Sequence, residues 1–204
     1  MEGAEERVSS SPAPPILLAS TSPQRRAILE QLGLPFEVVA PRYEEHDPPD
    51  ADPVALVREH ARGKARSVAA EAGGRPVLGV DTTVVCGGRV YAKAEGPEQA
   101  AEMLEAFGGN VHQVVSGLCL VTPAWEELHH EVTRVTFRAL TARDIAGYIA
   151  SGEWQNRAGA YAIQGRGARL VERIDGDYLN VVGLPAALLI RLLAERFAGI
   201  YGVG

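Results

Sequence analysis

The sequence predicts an α/β fold with a mixed sheet, flanking helices and two lobes. Three observations carry that expectation. Short apolar runs bounded by turn residues alternate with capped stretches of helical spacing. The alternation keeps no strict βαβ rhythm, so the sheet is not all parallel. Two long β-like runs, 111–121 and 128–140, follow one another with no helix between them. With 204 residues, 46% apolar and 23% charged, the chain is long enough to bury a core.

The elements follow in order. Residues 16–20 form a short apolar run between Pro15 and a Ser/Thr turn, which fits a buried strand. Ser22 and Pro23 supply an N-cap and a first helical residue for a helix reaching about Leu32 and closed by Gly33. Residues 36–40 read as a second strand, YEEHDPPDADP as a polar loop, and Asp52-Pro53 as the start of a helix through about Ala72. Residues 76–86 give the strongest strand signal, and Gly87-Gly88 turns it into a hairpin with 89–91. A helix over 97–107 precedes the two long runs. In the second of these, Thr133, Val135, Phe137 and Ala139 alternate with Val132, Arg134, Thr136 and Arg138. Thr141 caps a helix to Ile149 with Asp144 at its third position. The reading ends with a strand over 168–174, a turn at Asp175-Gly176-Asp177 and a helix over 184–196.

Charge and cysteine usage exclude some functions. A net charge of -6 and a pI near 5.4 argue against a general nucleic-acid binder, so an anionic ligand must meet a local cluster of basic groups. Cys86 and Cys119 lie in apolar runs without metal-ligand spacing or a disulfide framework, which suits a reducing, cytoplasmic setting. Residues 1–15 are acidic and polar with no apolar signal core, and read as a disordered arm before a single domain over 16–204. The most apolar late stretch, 181–190, is broken by Gly183 and Pro185 and falls short of the ~18 residues of a membrane span.

Chemistry concentrates in LLASTSPQRRAILEQLG, residues 17–33. A strand feeding a helix N-terminus through a polar turn aims N–H groups, hydroxyls and the positive end of the helix dipole at one point, which favours phosphate. Arg25 shares the helix face of Ile28, Leu29 and Leu32 and is the candidate phosphate ligand, whereas Arg26 lies four residues before Glu30, the spacing of a surface ion pair. A capped helix with two surface arginines would read the same way. Asp81 in VLGVDTTVVC is a carboxylate inside an apolar strand: it binds a divalent metal, activates water or caps a strand end. Asp81, Thr83 and Val85 point to one face of that strand, Thr82 and Val84 to the other. Lys64 and Lys93 are isolated cations, Glu44 and Glu45 lie in a loop, and His112, His129 and His130 form no metal or triad spacing and read as structural or exposed. NRAGAYAIQGRG, 156–167, is interrupted by glycines and carries Gln164, whose amide can read a base edge; it lacks the strand-then-G-x-G-x-x-G context of a dinucleotide site.

Together LLASTSPQRRAILEQLG, FEVVAPRYEE, HARGKARS, VLGVDTTVV, GAYAIQG and GDYLNVVGLP, in this order from Ile16 to the last helix, resemble the Maf family of nucleotide pyrophosphatases. The resemblance implies an elongated α/β fold, a mixed twisted sheet with flanking helices and two lobes around a cleft, similar to that of inosine-triphosphate pyrophosphatase. It also implies cleavage of a nucleoside triphosphate between its α and β phosphates, with Mg²⁺ or Mn²⁺. It assigns the proton acceptor to Asp81, the phosphate and metal region to Ser20, Arg25, Glu45, Lys64 and Lys93, and the metal to Asp81 with Glu45. Asp81-Thr82 and Ile163-Gln164-Gly165 resemble the branch acting on dTTP and UTP, extending to modified pyrimidine nucleotides; the 7-methyl-GTP branch carries Gln after the Asp and Glu in the later loop. Gln24, Thr82 and Gln164 are therefore the specificity positions. Gln24 matches neither branch, and Ala94 and Arg157 replace a usual Pro and Lys. A 7-methyl-GTP or broad modified-nucleotide pyrophosphatase, and a non-catalytic nucleotide-binding regulator of septum formation, stay open as alternatives. The expected partner is a nucleoside triphosphate, with no nucleic acid and no membrane, and a homodimer stays open.

Overall fold

The computed structural model describes residues 13–48 and 51–203, so the arm expected over 1–15 lies outside the described residues up to position 12. In chain order the elements are β1 (Ile16–Ala19), α1 (Pro23–Gln31), β2 (Phe36–Val39), α2 (Pro53–Val68), β3 (Val77–Cys86), β4 (Arg89–Tyr91), α3 (Pro97–Phe107), β5 (Val111–Val121), β6 (Glu126–Phe137), α4 (Ala142–Ile149), β7 (Val171–Asp175), α5 (Tyr178–Val182) and α6 (Ala186–Phe197). They build a mixed seven-stranded sheet of order β2-β1-β3-β5-β6-β7, with β4 attached to β3. The pairs β2-β1 and β1-β3 are parallel and the others antiparallel.

One consequence of this register positions the site. β5 pairs with β3 along one edge from Val77 to Val85. On the opposite edge β1 covers only Val77 and Leu78, and β4 begins at Val84. Among the described residues, Gly79 to Thr83 therefore have no strand partner on that edge, and Asp81 stands at the centre of the gap. Helices cover both faces. Leu18, Leu78, Val80, Leu118 and Leu120 pack against α1 and α6 through Ile28, Leu29, Leu189 and Leu193. Leu17, Ala19, Val77 and Cys119 pack against Ala61, Ala65 and Val68 of α2. Each leucine or isoleucine buried in this way contributes on the order of 2 kcal/mol. A second cluster, built on Phe107, Val135, Phe137, Tyr148 and Tyr161, fills the other end of the sheet, and the cleft opens between the two ends.

α2 sits unusually close to the sheet because glycines underlie it. A Cβ on Gly79 would overlap the Ala61 carbonyl oxygen, and one on Gly117, paired across the sheet with Asp81, would overlap the Val57 carbonyl. This close approach brings His60 and Lys64, one turn apart on α2, down onto Asp81.

Several boundaries differ from the sequence reading. α2 stops at Val68 and gives way to a 3₁₀ turn over 69–71, short of Ala72. β6 begins at Glu126, because the Thr122 N–H to Trp125 carbonyl bond closes a tight turn that pairs Glu126 with Val121. Residues 165–169 form a 3₁₀ turn rather than the start of the last strand: Glu153 accepts the Arg166 and Gly167 N–H groups and holds that turn. α5 was not foreseen. Asp177 caps it by accepting the Leu179 N–H, and it pushes the start of α6 to Ala186.

Candidate active site

All nine residues singled out in the sequence, Ser20, Gln24, Arg25, Glu45, Lys64, Asp81, Thr82, Lys93 and Gln164, line one cleft of about 1280 Å³. They arrive from opposite sides of the gap in the sheet. Because side chains alternate along β3, Asp81 faces α2 while Thr82 faces α1 and α5.

On the α1 side, Ser22 caps the helix and its hydroxyl donates to the Gln24 amide oxygen at 3.0 Å. The inward register predicted for Arg25 is realised. Its guanidinium donates to the Gly183 carbonyl at 2.9 Å, to Ser20 Oγ at 3.2 Å and to Thr82 Oγ1 at 3.3 Å. Only a planar fork of donors can serve three acceptors arranged in this way. Thr82 is further tied to Ser116 Oγ at 2.9 Å, so the residue beside Asp81 orients Arg25. Arg26 bonds Glu30 at the surface, as its spacing indicated.

On the α2 side, Lys64 Nζ lies 2.6 Å from both Glu45 Oε1 and Asp81 Oδ1. His60 Nδ1 is 3.5 Å from Asp81 Oδ2, and Nε2 is 3.3 Å from the His46 carbonyl and 3.5 Å from Asp47. Both ring nitrogens face groups that can only accept, which favours the imidazolium; the bond to Asp81 raises the His60 pKa against the opposing effect of burial. Burial alone would push the Asp81 carboxyl up, but His60, Lys64 and Arg25 outweigh it and hold the group well below the usual carboxylate range. Burial pulls Arg25 below its ordinary value, with Asp81 and Glu45 working the other way.

Lys93 stands exposed across the cleft, where it forms an isolated bridge with Ala158. Gln164 is exposed at the same end, just before the 3₁₀ turn. The cleft thus has a cation-rich end at the gap and an end lined by Asn156, Ile163, Gln164 and Val182. In a chain of net charge -6, this is the local basic cluster that an anionic ligand requires.

Sequence reasoning missed His60, because a lone histidine on a helix is usually a satisfied core residue and only the depth of α2 brings it to Asp81. A compositional signal for the lysines was also available. The chain holds 18 arginines but only two lysines, Lys64 and Lys93, and both line the cleft.

Glu45, His60 and Asp81 can offer donor atoms that all lie within 4.8 Å of one another. Two carboxylates already clasping the Lys64 ammonium are hard oxygen donors in the range that suits Mg²⁺ or Mn²⁺. His60, with both nitrogens facing acceptors, fits better as a hydrogen-bond donor to Asp81 than as a ligand.

Comparison with known proteins agrees with this geometry. A family described as "Maf-like protein" matches residues 15–196. A relative from Deinococcus radiodurans named dTTP/UTP pyrophosphatase is 45% identical over 191 residues, covering 94% of this chain and 97% of its own length. Relatives of the same name from Gloeobacter violaceus and Moorella thermoacetica are each 47% identical, over 88% and 92% of this chain and 95% and 97% of theirs. The motifs, the mixed sheet and nearly full-length similarity lead to one conclusion: the chain belongs to the Maf family.

Proposed function

We propose that this protein hydrolyses dTTP and UTP between the α and β phosphates, releasing the nucleoside monophosphate and pyrophosphate. The observation that carries the reading is the gap in the sheet edge at Asp81, where the carboxylate meets Lys64 and His60 on one face of β3 while Arg25 is held by the adjacent Thr82 on the other. The names of the 41–47% identical relatives support the substrate.

In this reading the triphosphate lies at the cation-rich end, bound by Ser20, Arg25 and Lys64, with Lys93 reaching it from across the cleft. Asp81, ionised throughout the physiological range, accepts a hydrogen bond from a water and orients it toward the α-phosphorus. That phosphorus gains a bond to the water oxygen and loses its bond to the bridging oxygen, a water proton passes to Asp81, and the three cations stabilise the charge gathering on pyrophosphate. Asp81 and Glu45 would hold a Mg²⁺ or Mn²⁺ ion, which when bound polarises phosphoryl oxygens as a Lewis acid. His60 keeps Asp81 ionised and fixed in orientation. At the other end, the Gln164 amide offers a donor and an acceptor together, which complement the imide edge of uracil or thymine, with Gln24 and Thr82 completing the specificity set. The two free cysteines support a reducing cytoplasmic compartment. Among the described residues, no helix is long and apolar enough to cross a membrane.

The test is release of monophosphate and pyrophosphate from dTTP, UTP, CTP, GTP and 7-methyl-GTP with Mg²⁺ or Mn²⁺, beside an Asp81→Asn control. Release from dTTP and UTP that falls by about 10³-fold or more in the control, with nucleotide binding retained, is expected. Full turnover by Asp81→Asn would overturn the site, preference for 7-methyl-GTP would overturn the pyrimidine reading, and binding without turnover would favour a regulator.

A further inference from the structure

The segment from Gln155 to Ile163 forms the wall of the cleft leading to Gln164, and its backbone is held in an unfavourable shape. Asn156 and Ala160 have φ values of 58° and 53°, and Ala160 is fully buried with no glycine to ease the conformation. Strain of this kind persists only where the surroundings over-determine it. The first restraint lies on the Lys93 side, where the Gly159 N–H donates to the Tyr91 and Ala92 carbonyls at 3.1 and 3.0 Å.

The second restraint is Tyr161. Its ring packs edge-on against Phe137 and His112, with centroids 4.9 and 5.3 Å away, and its hydroxyl lies 2.8 Å from His112 Nε2. His112 is the second residue of β5 and pairs with Val135 of β6. Burial holds its pKa down to about 4, so the ring is neutral, and its Nδ1 has no hydrogen-bond partner among the described residues. A leucine or phenylalanine would fill this apolar box without orphaning a nitrogen. The side-chain bond to Tyr161 is therefore what the histidine supplies. Just past Tyr161, the Ala162 N–H donates to the Tyr148 hydroxyl at 3.0 Å, and beyond Gln164 the Glu153 carboxylate clamps the next turn. Gln164 thus projects from a backbone fixed on both sides.

We propose that Tyr161, through its hydrogen bond to His112, is a positioning residue for nucleobase recognition: it sets the placement of Ala162 to Gln164 and so governs base selectivity rather than phosphate chemistry. The inference rests on the nucleotide reading of the cleft.

The test uses the whole chain and the variants Tyr161→Phe, His112→Leu and His112→Gln. Calorimetry measures binding of α,β-methylene dTTP, the matching dCTP analogue and inorganic tripolyphosphate, which has no base. Tyr161→Phe and His112→Leu are expected to weaken the dTTP analogue about ten-fold and to erode its preference over the dCTP analogue by a similar factor, with tripolyphosphate affinity within about two-fold. His112→Gln, which keeps a bonding group, restores the preference. In turnover, KM for dTTP rises in step while kcat falls less than about three-fold. An unchanged preference in Tyr161→Phe and His112→Leu, or an equal loss for tripolyphosphate, overturns the proposal. Wild-type protein that binds the analogues but hydrolyses no nucleotide would overturn the pyrophosphatase reading alone, and the selectivity comparison would still decide this one.

Discussion

Replacing Lys64 with methionine removes the ammonium held 2.6 Å from both Glu45 and Asp81 while keeping most of the volume of its stem. Breaking a fully buried pair costs about 3–5 kcal/mol. Here the Glu45 side chain is 46% exposed, and Asp81 keeps His60 and Arg25 nearby, so a loss of about 2–3 kcal/mol is expected. For a chain of this length that lowers Tm by roughly 6–9 °C. The deficit depends on pH. Lys64 helps to depress the folded-state pKa of Asp81, so its contribution is present above the ordinary carboxylate value of 3.8 and fades as pH falls through the folded value. The gap between wild type and variant therefore narrows in acid. Mn²⁺ without nucleotide should stabilise Lys64→Met more than wild type, because no tethered cation competes for the two carboxylates; at a hundred times its Kd the ion restores about 2.7 kcal/mol. Thermal unfolding with and without Mn²⁺, across pH, measures both effects. A variant as stable as wild type, with no larger Mn²⁺ response, would refute the claim that Lys64 serves as the built-in counter-ion of this carboxylate pair.

Three further outcomes follow from the same geometry. Arg25→Lys cannot reach the Gly183 carbonyl, Ser20 and Thr82 together, so kcat/KM for dTTP should fall about 10²-fold in steady-state assays, despite the retained charge. His60→Asn removes a group whose pKa is raised above 6.5, so its stabilising effect is complete below that value and lost as pH rises through the folded value; the Tm difference from wild type should shrink in alkali. Gly117→Ala should cost about 3 kcal/mol and lower activity by lifting α2 off Asp81, while Gly147→Ala in α4, where an added Cβ meets nothing within 4 Å, should leave Tm unchanged or raise it by a few degrees. Thermal scans of the pair separate close approach from helix propensity.

Much of this fold was legible because local signals agreed with tertiary ones. The caps at Ser22, Asp52 and Thr141 mark helices that form where expected, and the alternation legible along β6 puts Thr133, Val135 and Phe137 on its buried face. Misreadings arose where a distant side chain chose the backbone conformation. Glu153 turns 165–169 into a 3₁₀ segment, and no local pattern near Ala168 announces a carboxylate 15 residues earlier. The inward face of Arg25 followed from helix periodicity, whereas its three acceptors come from separate parts of the chain. His60 could not be read, since its role depends on how closely α2 rests on Gly79 and Gly117. His112 reads from the sequence as structural or exposed; it is buried, and its bond to Tyr161 joins positions 49 residues apart.

The scarcity of lysine has a practical consequence. Apart from its α-amino group, this chain presents amines only where Lys64 and Lys93 line the cleft. Reagents that scatter over the surface of an ordinary protein therefore become reporters of one location here. Lys93, exposed, should acylate first, and Lys64, locked between two carboxylates, should react slowly. Occupancy of the cleft can be followed as protection of the two lysines from such labelling, and attaching the protein to a support through them would block the opening it is meant to present.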